Sequence, residues 1–300
     1  MAPNDGSLPN YVIAASRPER PAVELWSHHR LPFEAKGELR TMRDDLRVAL
    51  SHLEPTEGHA LYGCYTSGVQ DYQCDAENIL FYNVKDAGFP HLCRSGFVFE
   101  RSFQLPPVPP RPMAIARHHH YYEMRPVGGA FRCWVPARTI VSWREIPIEP
   151  LTSEVKPAPL WHAMKTAALG VEAATGPPAV FGLRVTVGVP RTARFSVASA
   201  VKPLLDGIMS GLHVHDGHDL SDLSVRLADQ LGTAPHVISQ LLMSDRGAAL
   251  GERRLLHLRG QGVQWNPADD RCVAAEILVA NGDGGWRLSG EIFAVEELGD

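Results

Sequence analysis

The chain has 300 residues, of which 44% are hydrophobic and 21% charged; this is ordinary globular usage, which excludes a largely disordered polymer and fits about two domains. Its 29 basic and 34 acidic groups leave a formal charge of −5, so the sum implies no general affinity for nucleic acid. The longest stretch without Asp, Glu, Lys or Arg, Gln230 to Ser244, is too short and too polar to span a bilayer. The residues from Met1 lack the basic-then-apolar pattern of a signal peptide, and the five cysteines are an odd number without a close pair. A cytoplasmic protein without a membrane partner is the expectation.

In chain order, Leu39, Met42, Leu46, Leu50 and Leu53 recur at helical spacing and predict a helix ending before Pro55. Ala60 to Gly68 reads as a strand. Met113 to Met124 and Phe131 to Trp143 read as two more, separated by a turn at Pro126 to Gly129. The run from Leu105 to Pro112 is rich in proline and should be extended, while the prolines from Pro147 to Pro159 mark the better domain boundary. Beyond it, Phe181, Leu183, Val185, Val187 and Val189 alternate strictly, the pattern of a half-buried strand. A helix beginning near Ser199 follows, with Pro203 in its first turn. Leu220 to Leu231, closed by Gly232, and Val237 to Leu242 predict two further helices. Cys272 to Ala280 and Trp286 to Val295 are strands joined at Asn281 to Gly285. These patterns predict an α+β protein with mixed or antiparallel sheets and helices on one face. Its units are residues 1–150, with Arg- and aromatic-rich strands, and residues 151–300, with a helical insertion near 213–261.

Arg101 to Arg144 holds seven arginines, no lysine and one acid, Glu123, with Tyr121, Tyr122, Phe131, Trp134 and Trp143 interleaved. Arginine forks suit phosphate oxygens and aromatic faces suit unpaired bases, which makes Arg117, Arg125, Arg132 and Arg138 candidate nucleic-acid contacts. Strand alternation alone also produces such a mixture, with the aromatics inward and the arginines in water. His213, His215 and His218 form a candidate zinc or iron set, since alternate strand residues share a face. The same segment also reads as a polar loop in which Asp219 or Ser221 caps the helix that follows.

The segment Phe195-Ser-Val-Ala-Ser-Ala-Val-Lys-Pro-Leu-Leu-Asp206 follows a buried strand and opens a helix. Far downstream, Gly262-Val-Gln-Trp-Asn-Pro-Ala-Asp-Asp-Arg-Cys272 places Asp269 and Asp270 before another strand. This arrangement resembles the RusA-like Holliday-junction resolvases, in which D-x-D-N-x-x-K-x-x-L-D starts a helix and a later D-D precedes a strand. The resemblance implies that Lys202, Asp206 and Asp270 take part in phosphodiester hydrolysis and that Asp269 and Asp270 bind Mg²⁺. Ser196, Ala198 and Ser199 stand where the family has its two acids and Asn, and a hydroxyl and a methyl cannot replace two carboxylates. The first half holds the complement: Asp75-x-Glu77-Asn78 reproduces acid-x-acid-Asn, with Phe81 at the lysine position. Asp75 and Ser196 lie 121 positions apart, which suggests two tandem, degenerate RusA-like units whose Asp75 and Glu77 face Asp270 across an interface. Read locally, Asp75 is instead a helix cap and Glu77 a first-turn acid.

The functions implied are a RusA-like nucleic-acid- or protein-binding derivative with weak or no nuclease activity, or a Mg²⁺-dependent DNA endonuclease with a site shared between halves. A metalloenzyme built on His213 to Asp219 is a third. Branched or single-stranded DNA is the partner the first two imply.

Overall fold

The computed structural model describes residues 8–15, 22–68, 74–84, 89–106, 112–113, 115–151, 154–172 and 176–299. Most of the predicted proline-rich run 105–112 lies outside them. The first half runs through β1 (Tyr11–Ala15), β2 (Ala22–Ser27), α1 (Glu38–Leu50) and β3 (His59–Ser67). A helical turn (Asn78–Tyr82) and α2 (Phe89–Leu92) then lead to β4 (Gly96–Ser102), β5 (His118–Pro126) and β6 (Trp134–Pro147). The second half opens with α3 (Pro157–Thr166), β7 (Gly170–Val171), β8 (Phe181–Pro190) and α4 (Val197–Gly211). Next come β9 (Val214–His215), α5 (Leu220–Leu231), α6 (Pro235–Met243), β10 (Glu252–Arg253), β11 (Leu256–Arg259) and β12 (Gly262–Trp265). The strands β13 (Cys272–Gly282) and β14 (Arg287–Glu297) complete the α+β fold.

Ten strands form one mixed sheet in the order β1-β2-β5-β3-β4-β13-β8-β14-β6-β7. In the first half β3 leads through a helical turn to β4, parallel to it, and then to β5, antiparallel to β3 on its other side. In the second half β8 leads through α4 to the parallel β13 and then to the antiparallel β14. The two runs meet back to back where β4 pairs antiparallel with β13. Gly96 permits this meeting: its φ is +130°, and a Cβ there would collide with the Ile277 carbonyl oxygen.

The helices cover one face. Met42, Leu46 and Leu50 of α1 are buried with Ile79, Leu80 and Phe81, as are Leu160 and Met164 of α3 and Val201, Leu204, Leu205 and Ile208 of α4. The helix α4 begins at Val197 rather than near Ser199 and carries Pro203 in its interior. Burial of so much of α4 outweighs the roughly 3 kcal/mol that an interior proline costs a helix. The strand β8 behaves as its alternation predicts, with Phe181, Leu183, Val185, Val187 and Val189 all buried. A separate apolar cluster joins α5 and α6 to Trp161 of α3 and to Leu256 of β11.

The turn at Pro126 to Gly129 does not make β5 and β6 a hairpin. Instead β5 pairs with β2 and β3, whereas β6 pairs with β14 and β7. The connection passes over the sheet face away from the helices, where Phe131 and Trp134 pack with Tyr62, Val98, Val273 and Phe293. Glu100, fully buried, holds it there by accepting the N–H groups of Arg132 and Cys133 at 2.8 Å and the Tyr62 hydroxyl at 2.6 Å. Among the described residues, no helix is long and apolar enough to cross a membrane.

Candidate metal centre

Where β4 meets β13, the loop after β3 and the turn before β13 come together. The first carries Asp75 and Glu77, and the second carries Asp269. One oxygen from each of these three carboxylates lies within 4.8 Å of the others. From α4, the Lys202 ammonium reaches into the group, 3.5 Å from Asp75, 3.4 Å from Glu77 and 3.1 Å from Asp206, and in contact with Asp269.

Local bonds set each side chain. Asn78 donates to the Asp75 carboxylate at 2.6 Å, so the acid-x-acid-Asn pattern closes on itself at the start of the helical turn. Asp269 accepts the N–H of Asp270 at 3.2 Å. Lys202 and Asp206 are one helical turn apart on the same side of α4. Two residues tie the pieces together. Buried Arg101 of β4 donates through Nη1 to the Cys74 carbonyl at 3.3 Å and to the Asp270 carbonyl at 3.4 Å, clamping both acid-bearing loops. Buried His213 uses Nδ1 toward the Gly251 carbonyl at 2.9 Å and Nε2 toward the Ala268 N–H at 3.3 Å, which fixes the backbone just before Asp269.

The electrostatics are those of an over-filled acidic pocket. Four carboxylates face one ammonium, and Glu77 is 0% exposed, with its Oε2 buried and lacking a hydrogen-bond partner. Burial raises the pKa of Asp75, with Asp269 adding to the effect, and raises Glu77 further. Asp206 is pushed up to about 7, chiefly by burial, with Lys202 opposing. For Lys202 burial works against the charge, but Glu77, Asp269, Asp206 and Asp75 outweigh it and keep the ammonium protonated. Each carboxylate lowers the cost of the ammonium, yet one ammonium cannot balance them all.

No family model, no curated protein and no solved structure matches the chain.

Geometry therefore decides which candidate residues meet. Asp75, Glu77, Asp269, Lys202 and Asp206 do. Asp270 does not join the three-carboxylate group; its side chain lies 3.9 Å from the Arg253 guanidinium, so Asp269 takes the place expected of Asp270. His213, His215 and His218 do not form a ligand set. Both ring nitrogens of His213 meet backbone groups, and so do those of His215, through the His218 carbonyl at 2.8 Å and the Leu255 N–H at 3.2 Å. With those nitrogens satisfied, the zinc or iron reading has no free ligands on either ring.

Within the arginine run, Arg125 and Arg132 have structural roles. The guanidinium groups of Arg125 and Arg132 lie over the Tyr62 ring, 4.7 and 5.3 Å from its centroid, and both pair with buried Glu123. Arg117 and Arg138 are exposed. None of the four lines the clefts at the carboxylates. Among the described residues, two clefts border the carboxylates. One, of about 450 Å³, is lined by Asp75, Lys202, Asp269 and Asp270 with Arg253 and Trp265 among its walls. The other, of about 590 Å³, shares Asp75, Lys202 and Gln264 with the first. The clamping role of Arg101 and the bracing role of His213 carried no distinguishing pattern in the sequence, since both rest on backbone atoms far away along the chain.

Proposed function

We propose that this protein is a divalent-cation-dependent phosphodiesterase acting on DNA, with a RusA-like site assembled once from two degenerate tandem units. The observation that supports this most is the meeting of Asp75 and Glu77 from one half with Asp269 and Lys202 from the other. The buried, unpartnered Glu77 Oε2 fits a cation, and an all-carboxylate donor set suits Mg²⁺ or Mn²⁺, which are hard ions. Asp75, Glu77 and Asp269 are the residues that would hold it. When bound, the ion supplies charge neutralisation for a phosphate and a more acidic water.

The chain's own groups supply the rest. Lys202 stays protonated, so it serves as a fixed positive charge for the oxygens on which negative charge develops, rather than as a base. Asp206 lines neither cleft and stands behind Lys202 at 3.1 Å; it is a positioning residue that aims the ammonium. Arg101 and His213 hold the two acid-bearing loops at one spacing. Arg253 and Trp265 in the wall of the first cleft offer a guanidinium and a ring to the flanking polymer.

A binding protein without turnover is the second reading. It is favoured by Lys202 itself, which already contacts all four carboxylates. Labelled four-way, flapped and single-stranded DNA, incubated with Mg²⁺, Mn²⁺ or EDTA, separates the two. Metal-dependent cutting that Asp269→Asn abolishes supports the phosphodiesterase. Binding with no cutting under any metal leaves the second reading.

A further inference from the structure

The larger cleft holds an aromatic pair that the phosphodiesterase site itself does not use. Between β2 and α1 the chain passes through Leu31, Pro32 and Phe33. Leu31 is fully buried, and its carbonyl accepts the Asn83 side-chain N–H at 3.1 Å, which pins this loop to the end of the helical turn Asn78–Tyr82. Phe33 is then left 62% exposed, with its ring nearly parallel to that of Tyr82: the centroids are 5.3 Å apart and the planes differ by 8°. A large apolar ring held flat against another and open to water has the form of a stacking platform.

Its surroundings select what could stack there. The same cleft is lined by exposed Arg30 and Arg259 and by Asn78, and it reaches Asp75 and Lys202 directly. On the far side of those two residues the first cleft presents Trp265, whose ring is backed by Trp161 at 5.9 Å. A flat apolar platform, cationic groups beside it and a carboxylate–lysine site next to it together match a polymer that alternates flat rings with phosphates. A base inside a duplex already has both faces stacked and cannot lie on a protein ring.

We infer that the cleft at Phe33 and Tyr82 is a nucleobase subsite, taking an unpaired base adjacent to the phosphate presented to Lys202. The substrate class that follows is single-stranded DNA, or the unpaired portion of a branched one. This rests on the phosphodiesterase reading for what lies next to the subsite, but base binding can be measured without any cutting.

The test is a fluorescence titration, in EDTA and again in Ca²⁺, with a single-stranded oligodeoxynucleotide carrying 2-aminopurine and with the same strand fully paired. The expected result is quenching and tight binding of the single strand. Phe33→Ala should weaken it by about 5- to 100-fold, the range set by loss of one base–aromatic stack. Phe33→Trp should retain it, and binding of the duplex should be weak and indifferent to both substitutions. Because Phe33 is mostly exposed, both variants should unfold at nearly the same temperature as the parent. Equal binding of the single strand by parent and Phe33→Ala, or a preference for duplex, overturns the subsite even if the parent cuts DNA. Single-strand quenching with no cutting by the parent under Mg²⁺ or Mn²⁺ overturns the phosphodiesterase reading and leaves the subsite standing.

Discussion

The Lys202 ammonium lies 3.4 Å from the Glu77 carboxylate, 125 residues away along the chain and in the other half of the fold. Lys202 is the cation that faces buried Glu77, and Glu77 joins Asp75, Asp206 and Asp269 in holding that ammonium.

That relationship sets the first prediction. Lys202→Met removes the positive charge from four carboxylates and should destabilise the metal-free protein by about 2 kcal/mol, less than a fully buried pair because Lys202 is a quarter exposed. Millimolar Mg²⁺ should then raise the melting temperature more in the variant than in the parent, since no ammonium competes for the carboxylates. Thermal unfolding with and without MgCl₂ measures both effects. A variant as stable as the parent without metal would contradict the assignment of Lys202 as the balancing charge.

The neighbouring aspartates should behave differently. Asp269→Asn and Glu77→Gln should each weaken Mn²⁺ binding by more than about 100-fold, as befits direct ligands. Asp270→Asn should leave it within a few-fold, because that carboxylate is turned toward Arg253. Calorimetric titration with MnCl₂ decides; equal losses at Asp269 and Asp270 would argue that both are ligands.

Arg101 should matter through geometry rather than charge. Arg101→Lys keeps the charge, but the shorter lysine side chain places its ammonium short of the Arg101 Nη1 position, from which one nitrogen reaches both the Cys74 and Asp270 carbonyls. The expected outcome is a loss of about 1–2 kcal/mol in stability and about tenfold in Mn²⁺ affinity, read by urea unfolding and by titration. Retained metal affinity would show that the loops hold their spacing without the clamp.

The pH dependence carries opposing contributions that a variant can separate. His213 is pushed down to about 4 by burial, so between that value and its ordinary value near 6.5 the unfolded chain binds more protons. Its contribution to stability is complete above pH 6.5 and is lost as pH falls toward 4, by about 3 kcal/mol. Asp206, raised to about 7, acts in the other direction: its contribution is present below its unfolded value and is lost as pH rises through 7. The His213 effect is therefore the difference between parent and His213→Asn in urea midpoints at pH 7 and pH 4.5. The variant should lose less on acidification, and identical slopes would refute the assignment.

Arginine substitutions should sort by their surroundings. Arg125→Ala and Arg132→Ala should each lower stability, through lost packing on Tyr62 and loss of one of the two guanidinium groups that face buried Glu123, while leaving the salt dependence of DNA binding unchanged. Arg253→Ala, in the cleft wall, should reduce the slope of log affinity against log salt by about one. Filter binding at several NaCl concentrations checks both.

Much of this was legible in the sequence alone. The strict alternation of Phe181 to Val189 and the helical spacing of Met42, Leu46 and Leu50 each state one buried face, and the fold buries those faces. The acid-x-acid-Asn pattern at Asp75 and the lysine at Lys202 stood out because each half lacks what the other retains. By contrast, β4 left no alternation to read, since a central strand is buried on both faces and becomes a continuous apolar run, Gly96-Phe-Val-Phe99. Which of Asp269 and Asp270 faces the site was hidden too: the 3₁₀ turn Asp269–Arg271 decides it, and adjacent residues on such a turn point apart.

The position of β6 also governs how the chain can come to be folded. It is made with the first half, yet its long partner is β14, the last strand, and the intervening connection must already lie across the sheet. As the chain leaves the ribosome, Trp134 to Pro147 waits through about 140 residues of synthesis with its hydrogen-bonding edge unsatisfied. Closing so non-local a pairing is slow, and a chain interrupted near residue 150 would carry an open strand without the partner it needs. The half-way point in the sequence is thus a boundary in composition but not in assembly.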